Sequence, residues 1–349
     1  MKEWLSVTYS ERELGMQFLQ NRRDFLAGLS AIGAASMVGV SNAVAQSPPE
    51  TTAVRLAKFF PAGCDTPQYV AAELLRAEGI SDVHYIDVGG EDSSVLLARG
   101  EVDFDWNYAA INVASIDAGA PITVLAGMHS GCLELIAGEG IRGVTDLKGK
   151  KVGVYAISSS PHILVTLMAA YVGLDPKKDI EWVADSKVSP MELFASGKID
   201  AFLATPPEPQ DLRARKIGHT IVSTATDAPW SNYYCCMLTG TNEYVQRYPI
   251  ATKRVLRSLL KTVDLCLTEP QTVAQRLIDG GFASSYDFAV QTLNDVRYDR
   301  WRDFDPEDSL RFYALRMQEV GLIKRNPNDI ILAGSDWRFI NELRRELKT

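Results

Sequence analysis

Past its first 45 residues the chain has no apolar run long enough to cross a bilayer, so nothing downstream reads as a membrane span. It lacks basic clusters. With 36 Lys and Arg against 44 Asp and Glu the net charge is −8, which argues against a surface built to grip nucleic-acid phosphates. It lacks a Cys-x-x-Cys pair, and His84, His129, His162 and His219 show no ligand spacing to one another, so no zinc centre is expected and no cofactor is implied. The five cysteines, Cys64, Cys132, Cys235, Cys236 and Cys266, are an odd number and read as structural thiols. A disulfide from Cys132 to Cys235 or Cys236 stays open, because it requires the two segments to lie side by side. No Gly-x-Ser-x-Gly elbow surrounds a serine, and Ser160 and His162 stand two apart at a helix start, which does not build a nucleophile. Nothing resembles a disordered composition: 46% apolar and 23% charged residues supply a core.

What is present begins with an address. Asn21-Arg22-Arg23-Asp24-Phe25-Leu26 reads as a twin-arginine signal, followed by an apolar run over 26–40 that Gly28, Gly33 and Gly39 interrupt, and by an Ala43-Val44-Ala45 cleavage site. Residues 1–45 are therefore expected to be a signal peptide that exports the folded chain to the periplasm, with no stable membrane insertion of the mature part.

The stretch 144–173 carries the clearest structural signal. A short strand over 151–155 leads through Ile157-Ser158-Ser159-Ser160 into a helix with Ser160 as N-cap, Pro161 in the first turn, an apolar face of Leu164, Leu167, Met168 and Tyr171, and Gly173 as the stop. The same plan occurs earlier. A strand over 54–60, a loop over 61–65, Thr66 as cap, Pro67, and a helix burying Val70, Ala71, Leu74 and Leu75 repeat it. The match continues through the strand 83–88, the helix 93–98 and the turn at Gly100, echoed by the strand 180–183, the helix 190–195 and the turn at Gly197. Four elements agreeing in order predict an α/β protein of two βαβ lobes.

In such sheets ligands sit beyond the carboxyl ends of the strands. Asp65 and Thr66 are thus expected to face Ser159 and Ser160 across a cleft, with Asp105-Trp106-Asn107-Tyr108 and the loop 205–209 at its mouth. Extended segments at 132–137 and 233–238 read as two crossover strands forming a hinge, and a helical C-terminal extension follows from Pro249. The expected division is 50–137 plus 239–349 for the first lobe and 138–238 for the second.

Three segments together, Asp146-Leu147-Lys148-Gly149-Lys150-Lys151-Val152-Gly153-Val154, Ser159-Ser160-Pro161-His162 and Gly197-Lys198-Ile199-Asp200-Ala201, resemble the nitrate/sulfonate/taurine-type periplasmic solute-binding proteins of ABC importers. That superfamily also contains the thiamine-pyrimidine precursor synthases. The resemblance implies a two-lobed periplasmic-binding-protein fold of type II and a non-enzymatic, monomeric chain that captures a small organic molecule and hands it to a membrane permease. It implies that the loop matching Ser158, Ser159 and Ser160 holds the ligand's acidic group, and that Asp65, Asn107 and Glu208 line the cleft. Asp65, Asp105 and Glu208 depart from the simple anion binders, since three carboxylates would repel a small inorganic anion unless they face away. Thr66, Trp106, His162 and Trp230 complete the expected ligand-binding set, the indoles as covers for a ring or alkyl part and His162 as a donor beside the serines. An enzyme on the same fold is the rival. The precursor synthases use a cysteine cluster and a histidine, where this chain shows only the vicinal pair Cys235-Cys236. A ligand sensor would use the same cleft.

Overall fold

The computed structural model describes residues 47–347. The twin-arginine signal lies outside the described residues. Ten strands follow one another as β1 (Ala53–Lys58), β2 (Asp82–Asp87), β3 (Phe104–Tyr108), β4 (Ile122–Ser130), β5 (Glu134–Ala137), β6 (Lys150–Val154), β7 (Ile180–Ala184), β8 (Ala201–Ala204), β9 (His219–Ser223) and β10 (Tyr234–Thr241). They form two five-stranded sheets with one topology. The first runs β2-β1-β3-β10-β4 and the second β7-β6-β8-β5-β9. In each, three strands pair in parallel and the fourth enters antiparallel. The repeat read from prolines and glycines is therefore a repeat of sheets, and the fold is the α/β periplasmic-binding-protein plan.

Each sheet takes one strand from the chain on its way to or from the other. β5 pairs with β8 and β9 in the second sheet, and β10 lies between β3 and β4 in the first. The changeovers consequently run through 131–133 and 224–233, a few residues upstream of the positions read from apolar runs. The reason is physical: a fully buried strand is apolar on both faces, so its sequence does not say which sheet buries it. All eight residues of β10 are buried.

Helices cover the sheets, but the single helix expected after Pro67 is two short ones, Thr66–Tyr69 and Ala72–Ala77, with Val70 and Ala71 between them, and two helix starts are corrected. The helix Ser160–Tyr171 is capped at Ser159, not Ser160, and the Ser159 hydroxyl donates to the Ala156 carbonyl at 2.7 Å instead of accepting from an N–H of the first turn. The short helix Thr66–Tyr69 has Asp65 in the cap position, while Thr66 Oγ1 donates back to the Gly63 carbonyl at 2.7 Å. Pro161 and Pro67 occupy first-turn positions as expected. The C-terminal part is helical and joins the first sheet: isolated bridges tie Val124 to Ser335 and Ser130 to Arg297, both on β4. The helix Pro249–Thr268 buries Leu256, Leu259, Leu260 and Val263, each contributing about 1.5–3 kcal/mol of hydrophobic stabilisation. Among the described residues no helix is long and apolar enough to cross a membrane.

Candidate functional site

The carboxyl ends of β1 and β3 in one sheet and of β6 and β8 in the other bring their loops together. A Cβ added to Gly63 would lie 2.7 Å from the Pro206 carbonyl oxygen, so the loop after β1 touches the loop after β8. Ser160 Oγ donates to Asp92 Oδ2 at 3.4 Å, linking the helix Ser160–Tyr171 to the start of the helix Ser93–Ala98. Gln210 Nε2 donates to Asp295 Oδ2 at 2.9 Å, and Arg213 bridges Glu134 and Asp295.

On the side of the first sheet, strand alternation sets the chemistry. Asp105 and Asn107 share one face of β3, and Phe104, Trp106 and Tyr108 the other. Asn107 Nδ2 lies 3.0 Å from Asp92 Oδ1, 3.0 Å from Ser93 Oγ and 3.2 Å from Asp105 Oδ2, three acceptors for two hydrogens. Asp92 also caps its helix by accepting from Ser94 N at 3.0 Å. Asp105 is wholly buried, and its Oδ1 has no hydrogen-bond partner among the described residues. Burial, with the charges of Asp92 and Asp65 adding to it, pushes its carboxyl up to about 7.

Asp65 is differently placed. Its Oδ1 accepts from Gly63 N at 2.9 Å, and its Oδ2 from Gln68 Nε2 at 2.9 Å and from the Tyr69 hydroxyl. Burial raises it to about 6, yet both oxygens are committed to holding the loop. Thr66 serves the same turn. Trp106 is buried and stacks on His129 with ring centroids 6.0 Å apart, on the face of β3 opposite Asp105.

On the second side, Ser158 adopts φ +71°, a left-handed conformation, and its N–H donates to His162 Nδ1 at 3.3 Å. That bond needs a neutral imidazole, and burial lowers the His162 pKa in the same sense. The ring meets Trp182 edge-on at 4.5 Å. Glu208 closes its own helix start: Oε2 accepts from Thr205 N at 2.8 Å and Oε1 from the Tyr155 hydroxyl at 2.5 Å, and burial raises its pKa. Trp230 is buried edge-on between Tyr171 and Phe312.

Of the residues the sequence singles out, Asp105, Asn107 and Ser160 converge on one polar cluster. Asp65, Thr66, Ser159, His162 and Glu208 spend their side chains on local turns, and the two indoles pack in the interior. Two members of the cluster, Asp92 and Ser93, were missed by sequence reasoning. Their signal was available as Asp-Ser-Ser at the carboxyl end of β2, an N-cap pattern at a strand's functional end.

The arrangement can hold a small polar molecule: it offers acceptors from Asp92 and Asp105, a hydroxyl from Ser160, and the N–H groups at the start of a twelve-residue helix. A similar fold occurs in the periplasmic nitrate-binding protein NrtA from Synechocystis PCC 6803, at 15% identity and TM-score 0.74 over 86% of this chain and 90% of that one. The alkanesulfonate-binding protein SsuA from Xanthomonas axonopodis pv. citri, bound to MOPS, shares it at 16% identity and TM-score 0.65 over 79% and 96%. The desulfurization enzyme DSZB does so at 14% identity and TM-score 0.58 over 84% and 99%. No curated protein matches the sequence. Residues 65–273, well over half of the chain, match the family described as NMT1/THI5 like, and the chain belongs to that family.

Proposed function

We propose that this protein is the periplasmic substrate-binding component of an ABC importer, a monomer that captures a small organic molecule between two lobes and delivers it to a membrane permease. One lobe is the first sheet with the C-terminal helices, the other the second sheet, and the chain changes over at 131–133 and 224–233. The observation that carries the reading is the meeting of Ser160 with Asp92 where the loops of two sheets of identical topology abut. A cleft whose two walls belong to different sheets can open and shut about the crossovers, and shutting it strengthens every polar contact inside.

The ligand in this reading is zwitterionic, as an amino-sulfonate or amino-carboxylate is. Its acidic end lies at the N-terminus of the helix Ser160–Tyr171, and its N–H groups reach the free oxygen of Asp105 and the Asp92 carboxylate. A bare inorganic anion suits those carboxylates poorly. Export through the twin-arginine signal at 1–45 is part of the proposal. The enzyme DSZB shares the fold, so turnover is the rival, and a wild-type chain that consumes a bound ligand would replace the transport reading.

A thermal-shift screen of amino-sulfonates, alkanesulfonates, amino acids and pyrimidines is expected to return a ligand that raises the melting temperature, because a molecule that binds only the folded chain stabilises it. Ser160→Ala is then expected to weaken that ligand about tenfold in calorimetry, the value of one hydrogen bond. Unchanged affinity would remove Ser160 from the site.

A further inference from the structure

Four side chains from three separate stretches of the sequence meet behind β3. The Sγ atoms of Cys64, Cys132 and Cys236 and a ring nitrogen of His129 all lie within 4.8 Å of one another. The fold assembles them deliberately. Cys64 ends the turn after β1, His129 stands near the end of β4, and Gly131, at φ +50°, turns the chain so that Cys132 comes back beside it. A register shift in β10 around Cys236 re-aims the vicinal pair, so that two neighbours which would alternate faces in a regular strand both reach the cluster. Cys236 Sγ lies 3.8 Å from Cys64 Sγ, and Cys235 Sγ lies 3.6 Å from Cys132 Sγ.

His129 has no exposed surface, and neither of its ring nitrogens has a hydrogen-bond partner among the described residues. A buried polar atom left without a partner keeps its full desolvation penalty, and here both ring nitrogens do. A cation ligated by one nitrogen removes the larger part of that cost. The Cys64–Cys236 separation of 3.8 Å fits such an ion, since Zn–S bonds of about 2.3 Å at tetrahedral angles put sulfurs about 3.8 Å apart. Donor type narrows the ion further. Thiolates with one imidazole and no carboxylate exclude magnesium and calcium and suit zinc-class cations. The surroundings are dry and fixed: Trp106 stacks on the imidazole, Tyr298 meets it edge-on at 5.6 Å, and the Tyr298 hydroxyl donates to the Cys64 carbonyl at 2.9 Å.

We propose that Cys64, His129, Cys132 and Cys236 form a closed tetrahedral site for one thiophilic divalent cation of the zinc class, with the Cys235 thiol donating to the ligated Cys132 sulfur. With four protein ligands and no open position the ion is structural. It clamps the β1 loop, the end of β4 and the bulge of β10 at the point where the chain passes between sheets. The site is independent of the transport reading, and ligand capture and metal uptake are measured separately.

The test uses the reduced full chain stripped of metal and titrated with cobalt(II), then zinc(II). Stoichiometric cobalt uptake is expected, with sulfur-to-cobalt charge transfer, tetrahedral d–d bands, and bleaching of both by zinc. His129→Gln and Cys236→Ser are expected to weaken uptake by more than about a hundredfold, beyond the losses typical of outer-shell changes. Cys266→Ala, which removes a buried thiol outside the cluster, should bind as the wild type does. Should the ligand variants fail to fold, the wild-type spectrum decides, because its intensity reports the number of thiolates. Absence of the charge-transfer band in the reduced wild type overturns the site. So does closure of Cys132–Cys235 and Cys64–Cys236 disulfides in place of cobalt binding, or equal loss in Cys266→Ala.

Discussion

Asp105→Asn is expected to abolish the steepest part of the pH dependence of stability in the ligand-free protein and to make it more stable than the wild type at pH 8. The sign follows from proton counting. Below 3.8 the Asp105 carboxyl is protonated in folded and unfolded chains alike. Between 3.8 and about 7 the unfolded chain has released the proton and the folded chain keeps it, so stability falls as pH rises, and above about 7 the loss is complete. Moving a buried carboxyl over that window amounts to something on the order of 4 kcal/mol. Asp65, raised to about 6, contributes in the same direction over a narrower window. Urea unfolding at pH 5 and pH 8 measures the difference, and asparagine keeps an oxygen for the Asn107 amide to reach. A variant with the wild-type slope would show that Asp105 is ionised throughout. The same group links stability to capture: a cationic ligand end compensates the ionised carboxylate, so affinity for a zwitterion should rise with pH through about 7, whereas affinity for an anion should fall.

The sequence made the architecture legible because its punctuation is local. Pro67, Pro161 and Pro190 sit in first turns, and the strands and helices they separate recur in order, which is enough to call two similar α/β halves. What it left hidden depends on distant neighbours. Trp106 and Trp230 stand among polar residues in the chain, yet Trp106 lies against His129 and Trp230 against Phe312, contacts that no local pattern encodes. The local pattern makes Thr66 and Ser160 caps. In both cases the residue before occupies that position, and the hydroxyls of Thr66 and Ser160 are directed elsewhere. Carboxylates at the cleft were legible as a departure from anion binders, but not which of them would be free. Asp65 and Glu208 are saturated by neighbours within four positions or by a tyrosine, and only Asp105 retains an unused oxygen.

The thiols illustrate the same limit. Neither the histidine-to-histidine spacings nor a Cys-x-x-Cys pattern carries the mixed spacing His129-x-x-Cys132. That pair is the one local trace of the cluster, and its other members come from the far ends of the first sheet's connectivity. The disulfide left open at Cys132 has a partner in position at Cys235, while all five cysteines are thiols in the structure. Cys266 is the one that matches the expectation of a plain structural thiol, buried in the helix Pro249–Thr268 and pushed well up by burial alone.

Gly127→Ala is expected to cost about 3 kcal/mol, at the upper end of what overpacking a core strand does, and to lower the melting temperature by several degrees. Gly127 pairs with Met237 across β4 and β10, and the Tyr234 ring lies flat against it: an added Cβ would come within 2.1 Å of Tyr234 Cδ2 and 2.2 Å of its Cγ. The ring cannot step aside cheaply. Its hydroxyl donates to the Trp301 carbonyl at 2.7 Å and accepts from Arg344 at 2.9 Å, and Phe304 meets its edge at 5.6 Å. Chemical denaturation of Gly127→Ala measures the loss, and the double variant with Tyr234→Leu tests the cause. If the clash is the mechanism, the second substitution adds less in the alanine background than in the wild type, a coupling read directly from the cycle. Strict additivity would place the cost in strand backbone instead. Tyr234 begins the strand by which the chain re-enters the first sheet, and Cys236 follows two residues later. A ring displaced by one methyl group should therefore also disturb metal uptake at the cluster, while Ser160 and Asp92, across the cleft mouth, keep their contact.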